Sequence, residues 1–231
     1  MKKKITCPSE VVYFVAIALL SLAVAILTAA NFGVSMIVAP AYLFSLKTGV
    51  LTFGQSEYVI QAVLFIVFCI AMKGFKPIYL SSFVTCLLYG AVLDLWRKIP
   101  LFNPDVTAPG SMPMWQRIIM FIVGVLLTSL SVALFFKTYL YPQVYDFFVK
   151  GVSGKYNIKL SKFKTCFDLT CLAVSVIMTF AFFGKITGIG WGTLVMALIN
   201  GALIGMFDKL YDRIFEFKPI IKKLAKLFEL K

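Results

Sequence analysis

Long blocks of apolar residues, each bounded by polar or basic residues, dominate the pattern along the chain. Six blocks are long enough to cross a hydrocarbon core of roughly 30 Å at about 1.5 Å per residue. They lack the alternation of a barrel strand, so the pattern predicts membrane-spanning helices. The predicted spans cover residues 11–30, 57–72, 77–96, 115–140, 164–183 and 189–208.

The second half of the chain repeats features of the first. Residues 21–27 resemble residues 129–135 at an offset of 108 positions. The acidic Glu57 aligns with the acidic Asp168 at an offset of 111, so a three-residue insertion reconciles the two registers. A duplicated membrane unit is the usual plan of a small transporter. Because each half holds an odd number of spans, the second half is predicted to be inverted about a pseudo-two-fold axis in the membrane plane.

The predicted fold is therefore all-α, a polytopic membrane helix bundle of six transmembrane helices in two inverted three-helix repeats. One membrane domain accounts for the whole chain. Four prolines in the connection between the halves block helix formation and indicate an external linker. The predicted parts are a first repeat (11–96), this linker (97–114), a second repeat (115–208) and a cytoplasmic amphipathic tail (209–231). Within the tail, residues 214–231 are predicted to form a surface helix.

Composition and charge support a protein of the lipid bilayer. The 231 residues are 61% hydrophobic and 14% charged, whereas a soluble domain is about half apolar and about a quarter charged. The net charge of +13 comes from basic residues that flank the apolar blocks. That placement favours membrane insertion over nucleic-acid binding, so no nucleic-acid partner is predicted.

The distribution of lysine and arginine predicts the orientation. With the N-terminus inside, inner segments hold 18 basic residues and outer segments hold 5. This asymmetry predicts a multi-pass protein of the cell membrane with both termini in the cytoplasm. A cleaved signal peptide ending near Ala30 is the alternative, but the first block resembles an internal span of the second half.

No feature of the sequence points to catalysis. Histidine is absent, which removes the usual general base and the commonest zinc ligand. The five cysteines form no C-x-x-C pair, and four lie in apolar blocks, where buried thiols are favoured over a metal or disulfide framework. Neither a nucleophile motif nor a phosphate loop occurs. The sequence therefore predicts no enzyme, no catalytic residue, no metal and no cofactor.

Acidic groups inside the spans are costly to bury and often functional. Glu57 and Asp94 are predicted near the outer ends of their spans, and Asp168 and Asp208 near the inner ends. Lys137 is the predicted ionic partner of Asp168 or Asp208, with Asp168 the favoured choice. These groups are candidates for proton coupling or for gates, and the alternative is a set of ion pairs that fix helix packing.

Other polar positions extend the candidate substrate path. Tyr89 and Asn200 align at the offset of 111 and are predicted near the middle of the membrane. Asn31 and Ser35 lie at the outer end, followed by Pro40, which would bend or break a helix.

Two connections are predicted to be unusual. Residues 34–54 are too apolar for an exposed loop and indicate a re-entrant or broken helix, with residues 142–163 as their counterpart. Broken elements at matched places are a pointer to a binding site. The alternative is a pair of interfacial helices that plug the ends of the bundle.

Small residues recur at every fourth position in the third and sixth predicted spans. This spacing places them on one helix face, where they favour close packing and are also compatible with a substrate path. The two series are Ser82, Cys86 and Gly90, and Thr193, Ala197, Gly201 and Gly205.

Short motifs spread over most of the chain suggest a family. In the first half they are NFGVS (31–35), AP (39–40), LTFGQ (51–55), SFV (82–84), YG (89–90) and LD (93–94). In the second half they are KFKT (162–165) with Asp168, GT (192–193) and NG (200–201). The set resembles the YczE/YyaS/YitT-type bacterial membrane proteins. This resemblance implies a multi-span protein of the bacterial inner membrane and implies little about the substrate.

These observations favour a secondary transporter for a small solute that works by alternating access. The main alternative is a substrate-binding or accessory membrane subunit of a larger complex, and a homo-oligomer is compatible with both. Enzyme, channel, scramblase and scaffold roles have less support.

Overall fold

The computed structural model describes residues 4–103, 106–108, 111–223 and 225, and gives residues 160 and 161 as backbone alone. Within them lie eight α-helices and one pair of short strands. The helices are α1 (Ser9–Ala30), α2 (Ala39–Thr48), α3 (Phe53–Ala71), α4 (Leu80–Trp96), α5 (Met114–Phe136), α6 (Val144–Lys155), α7 (Leu160–Phe183) and α8 (Trp191–Ile214). The strands are β1 (Ile5–Pro8) and β2 (Phe215–Lys218).

Six of these helices, all except α2 and α6, are long and apolar enough to cross a membrane. The prediction of an all-α bundle with six spans is therefore confirmed, and the chain is a multi-pass membrane protein. The observed spans begin and end within four residues of the predicted ones, except that α8 runs on to Ile214.

The centre of the bundle is formed by α1 and α5, which pack along each other. A Cβ placed on Gly124 of α5 would lie 2.7 Å from Leu27 Cγ of α1, so this glycine permits the close approach. Helix α4 packs on α1, and α8 packs on α5. By contrast, only 11% of the apolar window of α7 and 11% of that of α8 is buried, so both helices lie at the periphery.

The two short helices bridge the halves, because α2 and α6 each pack against both α3 and α7. The predicted break at Pro40 is wrong: this proline lies in the first turn of a regular helix. A first-turn amide has no carbonyl partner within its own helix, so a residue without an N–H is accepted there. Helix α6 begins at Val144, within the connection 142–163 that the sequence predicted to be unusual.

The surface helix predicted for residues 214–231 is wrong at its start, because α8 ends at Ile214 and a strand follows. Residues 215–218 form β2, which runs parallel to β1. Phe215 and Phe217 alternate with charged residues, and this period of two suits a strand. Both rings lie against Tyr211 at the end of α8. Residue 224 and residues 226–231, which were also assigned to the tail helix, lie outside the described part of the chain.

Candidate functional site

A cavity of about 350 Å³ is lined by residues of both halves of the chain. The first half contributes α1, the segment 35–38 and Tyr89 of α4. The second half contributes α5, the start of α6, the start of α7, and α8. Helices α7 and α8, which both line the cavity, share no packing comparable to that of α3 along α4 within the described residues.

The cavity lining includes an apolar wall and a polar end, each defined by its side chains. Leu20, Val24 and Leu27 recur on one face of α1, and Val132 and Phe135 of α5 extend the same surface. Three- and four-residue spacings bring such side chains onto one stripe of a helix. The apolar wall can therefore hold the hydrocarbon part of a solute.

The polar end is formed by Asp146 of α6 with Lys164 and Asp168 of α7. Lys164 Nζ lies 3.8 Å from Asp146 Oδ1 and 3.7 Å from Asp168 Oδ1. Both separations are ion-pair distances that exceed the length of a normal hydrogen bond. Asp168 Oδ1 is buried and accepts no hydrogen bond from any described group.

The predicted pairing of Asp168 with Lys137 is wrong. Lys164 precedes Asp168 by one turn of α7, so the two side chains share a helix face and meet without any tertiary contact. Lys137 instead pairs with Asp208 at 2.7 Å and with Asp212 at 2.8 Å, which confirms the other predicted partner.

The ion pairs of Lys137 fix the end of α5 against α8. Partial burial would lower the pKa of Lys137, but hydrogen bonds and charges from Asp208 and Asp212 outweigh it and raise the pKa above its ordinary value of 10.5. Neither Lys137 nor Asp208 is among the residues that line the cavity. Their arrangement is that of a structural contact between helix ends.

Glu57 lies behind the cavity in a hydrogen-bonded network. Its side chain is fully buried, and Oε2 accepts hydrogen bonds of 3.0 Å from both Gln61 Nε2 and Tyr145 Oη. Gln61 Nε2 also donates to Gln143 Oε1 at 3.2 Å, and Gln61 Oε1 accepts from the Val144 amide. Tyr145 and Gln143 line the cavity, so Glu57 is one hydrogen bond away from it. No lysine or arginine in the described residues pairs with Glu57.

The hydroxyl of Tyr145 is the direct link between Glu57 and the cavity. Burial, reinforced by the adjacent Glu57 carboxyl, raises the pKa of Tyr145 well above its ordinary value. Tyr145 is therefore neutral at physiological pH and acts as a hydrogen-bond donor to Glu57.

Asp94 joins the end of α4 to the beginning of α3. Its carboxylate accepts a 2.5 Å hydrogen bond from Thr52 Oγ1 and a 2.9 Å bond from the Gly54 amide. A carboxylate at a helix N-terminus satisfies amides that have no partner within the helix. Asp94 therefore clamps two helices and does not line the cavity.

The loop after α1 is tied to the start of α8 beside the cavity segment 35–38. The Val34 carbonyl accepts a 2.7 Å hydrogen bond from Thr193 Oγ1, and the Phe32 carbonyl accepts one of 2.9 Å from the Gly192 amide. Gly33 has a φ of +102°, and a Cβ there would meet the Gly190 amide nitrogen at 2.6 Å. This glycine is thus required for the close approach of the two segments.

The ten residues predicted for a substrate path or gate fall into three groups. Four residues line the cavity, namely Ser35, Tyr89, Asp168 and Asn200. Within this group, Asn200 Oδ1 accepts a 2.5 Å hydrogen bond from Ser129 Oγ of α5. Asn31 belongs to the group outside the cavity: it ends α1 in the left-handed conformation, and its carbonyl accepts a 3.0 Å hydrogen bond from Arg117 Nη2. Glu57 lies one bond behind the cavity, and Asn31, Pro40, Asp94, Lys137 and Asp208 have structural positions elsewhere.

Several cavity residues were not predicted. Lys164 carried a usable signal, because a basic and an acidic residue four apart at the start of an apolar span share one face. Gln61 does not line the cavity, but its contact with the predicted Glu57 had the same signal, because the two residues lie four apart in α3. Gln143 and Asp146 carried none, because their approach to α7 depends on the position of α6.

Comparisons with known proteins identify a family and add no activity. No curated protein and no solved structure matches the chain. Residues 7–209, nearly the whole chain, match a family described as "Family of unknown function (DUF6198)". The match does not confirm the resemblance to the YczE/YyaS/YitT-type proteins. The chain belongs to DUF6198, a family of unknown function.

Proposed function

We propose that this protein is a secondary carrier that moves a small solute across the membrane by alternating access. The observation that carries the proposal is the cavity, which lies where α7 and α8 stand apart while the corresponding α3 and α4 are packed together. In the proposal, both halves share one architecture and differ in conformation, as the two repeats of a carrier do in one access state.

The packing supports this proposal helix by helix. If α1 to α4 correspond to α5 to α8 in order, the contact of α1 with α4 matches that of α5 with α8. The contact of α2 with α3 matches that of α6 with α7, and the contact of α2 with α7 matches that of α6 with α3. Among the described residues, the packing of α3 on α4 is the one strong contact between long helices that lacks a counterpart. An exchange of conformations between the halves would open this pair and close α7 on α8.

The 111-residue offset between the repeats predicts which residues would come into contact if α7 closed on α8. Gly54 of α3 approaches the Gly90 carbonyl of α4 so closely that a Cβ there would overlap it. The corresponding residues are Thr165 of α7 and Gly201 of α8, and both line the cavity. Closure should therefore bring Thr165 against Gly201.

A cross-linking experiment tests this motion without knowledge of the substrate. In a cysteine-free background, we expect Thr165→Cys with Gly201→Cys to form a disulfide or to react with a short bifunctional maleimide. The matched control pairs Thr165→Cys with Leu198→Cys, which is 83% exposed on the outer surface of α8. Equal cross-linking of the two pairs, or none in the first, would refute the proposed closure.

The proposed orientation places both termini in the cytoplasm and the 97–114 connection outside. It rests on the excess of basic residues in the segments assigned to the inside. In the same background, a membrane-impermeant maleimide should label Ala108→Cys in intact cells and spare Lys155→Cys. The opposite result would reverse the orientation.

A second candidate is a substrate-binding or accessory subunit of a larger complex. The observation that favours it is the small buried fraction of α7 and α8, which leaves two long helices available to a partner within the membrane. Reconstitution of the purified chain separates the candidates. Solute exchange by the chain alone supports the carrier, and binding without exchange supports the subunit.

A further inference from the structure

We propose that the cavity binds a small organic cation, a solute with one primary ammonium group, a short hydrocarbon portion and a neutral oxygen. The inference rests on the proposed function, because it assigns a substrate class to the same site. It is carried by the charges of the lining, by two polar atoms without hydrogen-bond partners among the described residues, and by the apolar wall of the cavity.

The charge of the lining favours a cation. Its charged side chains, among the described residues, are two carboxylates and one ammonium group, those of Asp146, Asp168 and Lys164. The carboxylates exceed the ammonium by one. A solute anion would add a further negative charge beside them, whereas a solute ammonium would balance the excess.

The geometry leaves hydrogen-bonding capacity for that ammonium. Lys164 Nζ is 3.7 Å from Asp168 Oδ1 and 3.8 Å from Asp146 Oδ1, so it satisfies neither oxygen with a normal hydrogen bond. Asp168 Oδ1 is buried and accepts no hydrogen bond in the described part of the chain. A buried carboxylate oxygen without a donor is costly, and a primary ammonium brings three donors.

Gln143 gives a second and independent indication of a ligand. Its side chain lines the cavity, and the residue is 6% exposed. Its Oε1 is held by Gln61, but its Nε2 is buried and has no partner among the described groups. A hydroxyl or carbonyl oxygen on the solute would accept the hydrogen bond that this buried amide group can donate.

The apolar wall and the volume of the cavity set the apolar character and the size of the solute. Val24 and Leu27 of α1, Val132 and Phe135 of α5, and Met196 of α8 supply hydrocarbon side chains to the lining. The volume of about 350 Å³ lies in the lower part of the range of small-molecule sites, roughly 300–1,000 Å³. A hydrocarbon chain of a few carbons matches these side chains and this volume.

An inorganic cation fits the site less well than an organic one. No group of three or more metal-ligating side chains occurs within the described residues. Hard cations such as Ca²⁺ take about 6–8 oxygen ligands, and the Lys164 ammonium already lies between the two carboxylates.

Three matched probes test the inference on the full-length protein in lipid nanodiscs. Each is a five-carbon chain with a hydroxyl at one end, and the other end carries an amine (aminopentanol), a carboxylate (hydroxypentanoate) or a hydroxyl (pentanediol). We expect aminopentanol alone to raise the unfolding temperature in a saturable way. Asp168→Asn should weaken its apparent affinity about tenfold or more, as expected for loss of a charge-assisted hydrogen bond. The control Asp212→Asn, which alters a carboxylate outside the cavity, should leave the affinity unchanged.

Each outcome decides the inference. Stabilisation by hydroxypentanoate, by all three probes equally or by none of them overturns it, as does sodium or calcium that stabilises where aminopentanol does not. If Asp168→Asn does not fold, Asp146→Asn must weaken aminopentanol binding, and unchanged affinity in that variant also overturns it. The cross-link between positions 165 and 201 is independent of these probes. Cross-linking without aminopentanol binding therefore refutes the substrate class alone, and binding without cross-linking refutes the carrier alone.

Discussion

The helix pair α3–α4 and the helix pair α7–α8 carry related sequences and differ in packing. Gly90 of α4 meets Tyr58 and the Gly54 carbonyl of α3 so closely that an added Cβ would overlap them. Its repeat counterpart Gly201 has no atom within 4 Å of an added Cβ. The comparison teaches that a series of small residues makes close packing possible without determining whether the two helices are in contact.

Polar clamps explain part of this difference. Asp94 ties α4 to the amides and hydroxyl at the start of α3. The position 111 residues later is Gly205, which has no side chain to clamp α7. The acidic Asp208, in the last part of α8, instead forms an ion pair with Lys137, which follows α5. The second pair is thus free to separate while its end stays fixed to α5.

The largest expected effect comes from filling the glycine contact. Gly90→Val should lower the free energy of unfolding by about 3 kcal/mol, because the added carbons overlap Tyr58 and the Gly54 carbonyl. Gly201→Val should change it by less than about 1 kcal/mol, because the space beside Gly201 is open. Unfolding of both variants in mild detergent measures the difference. Equal losses would mean that α7 and α8 are packed like α3 and α4.

The next effect compares the aligned acids. Glu57→Leu should destabilise the protein by about 2–3 kcal/mol, because the Gln61 amide and the Tyr145 hydroxyl lose their buried acceptor. Asp168→Leu should cost less than about 1 kcal/mol, because it deletes a partly exposed carboxylate with only a long ion pair. Denaturation of the two variants and of Glu57→Gln, which keeps the acceptor, checks this. A greater loss for Asp168→Leu than for Glu57→Leu would contradict the network.

Removal of the clamp should have an intermediate effect. Asp94→Ala deletes the acceptor of the Thr52 hydroxyl and the Gly54 amide and should cost about 1–2 kcal/mol. Hydrogen exchange should show the loss locally, as faster exchange of the first amides of α3. Asp212→Ala is the matched control at a helix end and should leave these amides unchanged. Protection of the α3 amides in Asp94→Ala would exclude a clamp.

The smallest effect concerns the ion pairs at the end of α5. Asp208 and Asp212 are 35% and 61% exposed, so solvent screens them and Lys137→Met should cost about 0–1 kcal/mol. The folded-state pKa of Lys137 is raised above 10.5. The stabilisation by charged Lys137 should therefore be complete below pH 10.5 and disappear as the pH rises through the folded-state pKa. Denaturation of the wild type and of Lys137→Met across this pH range tests this direction. A difference in the free energy of unfolding that grows with pH would contradict it.

The sequence predicted the membrane-spanning helices better than it predicted how the helices pack and which side chains pair. Long apolar blocks have one physical solution in lipid, so the spans follow from the pattern. The pairing of Asp168 with Lys137 was inferred only from the predicted positions of both residues near the inner ends of their spans. Lys164 was overlooked, although it lies one turn from Asp168 on the same helix. Neither the separation of α7 from α8 nor the approach of Gln143 to the cavity could be predicted, because both depend on how whole helices pack. Pro40 was misjudged because the effect of a proline depends on its position in a helix.

The parallel pairing of β1 with β2 constrains the topology through parity. Ile5 lies opposite Phe215 and Pro8 opposite Lys218, so the segments before α1 and after α8 share one side of the membrane. A chain that leaves and returns to the same side must cross an even number of times. This argument uses no charge count, and it excludes five or seven crossings between residues 8 and 215 even if a span were assigned differently. Reporter domains attached beside the two strands must therefore always report the same compartment.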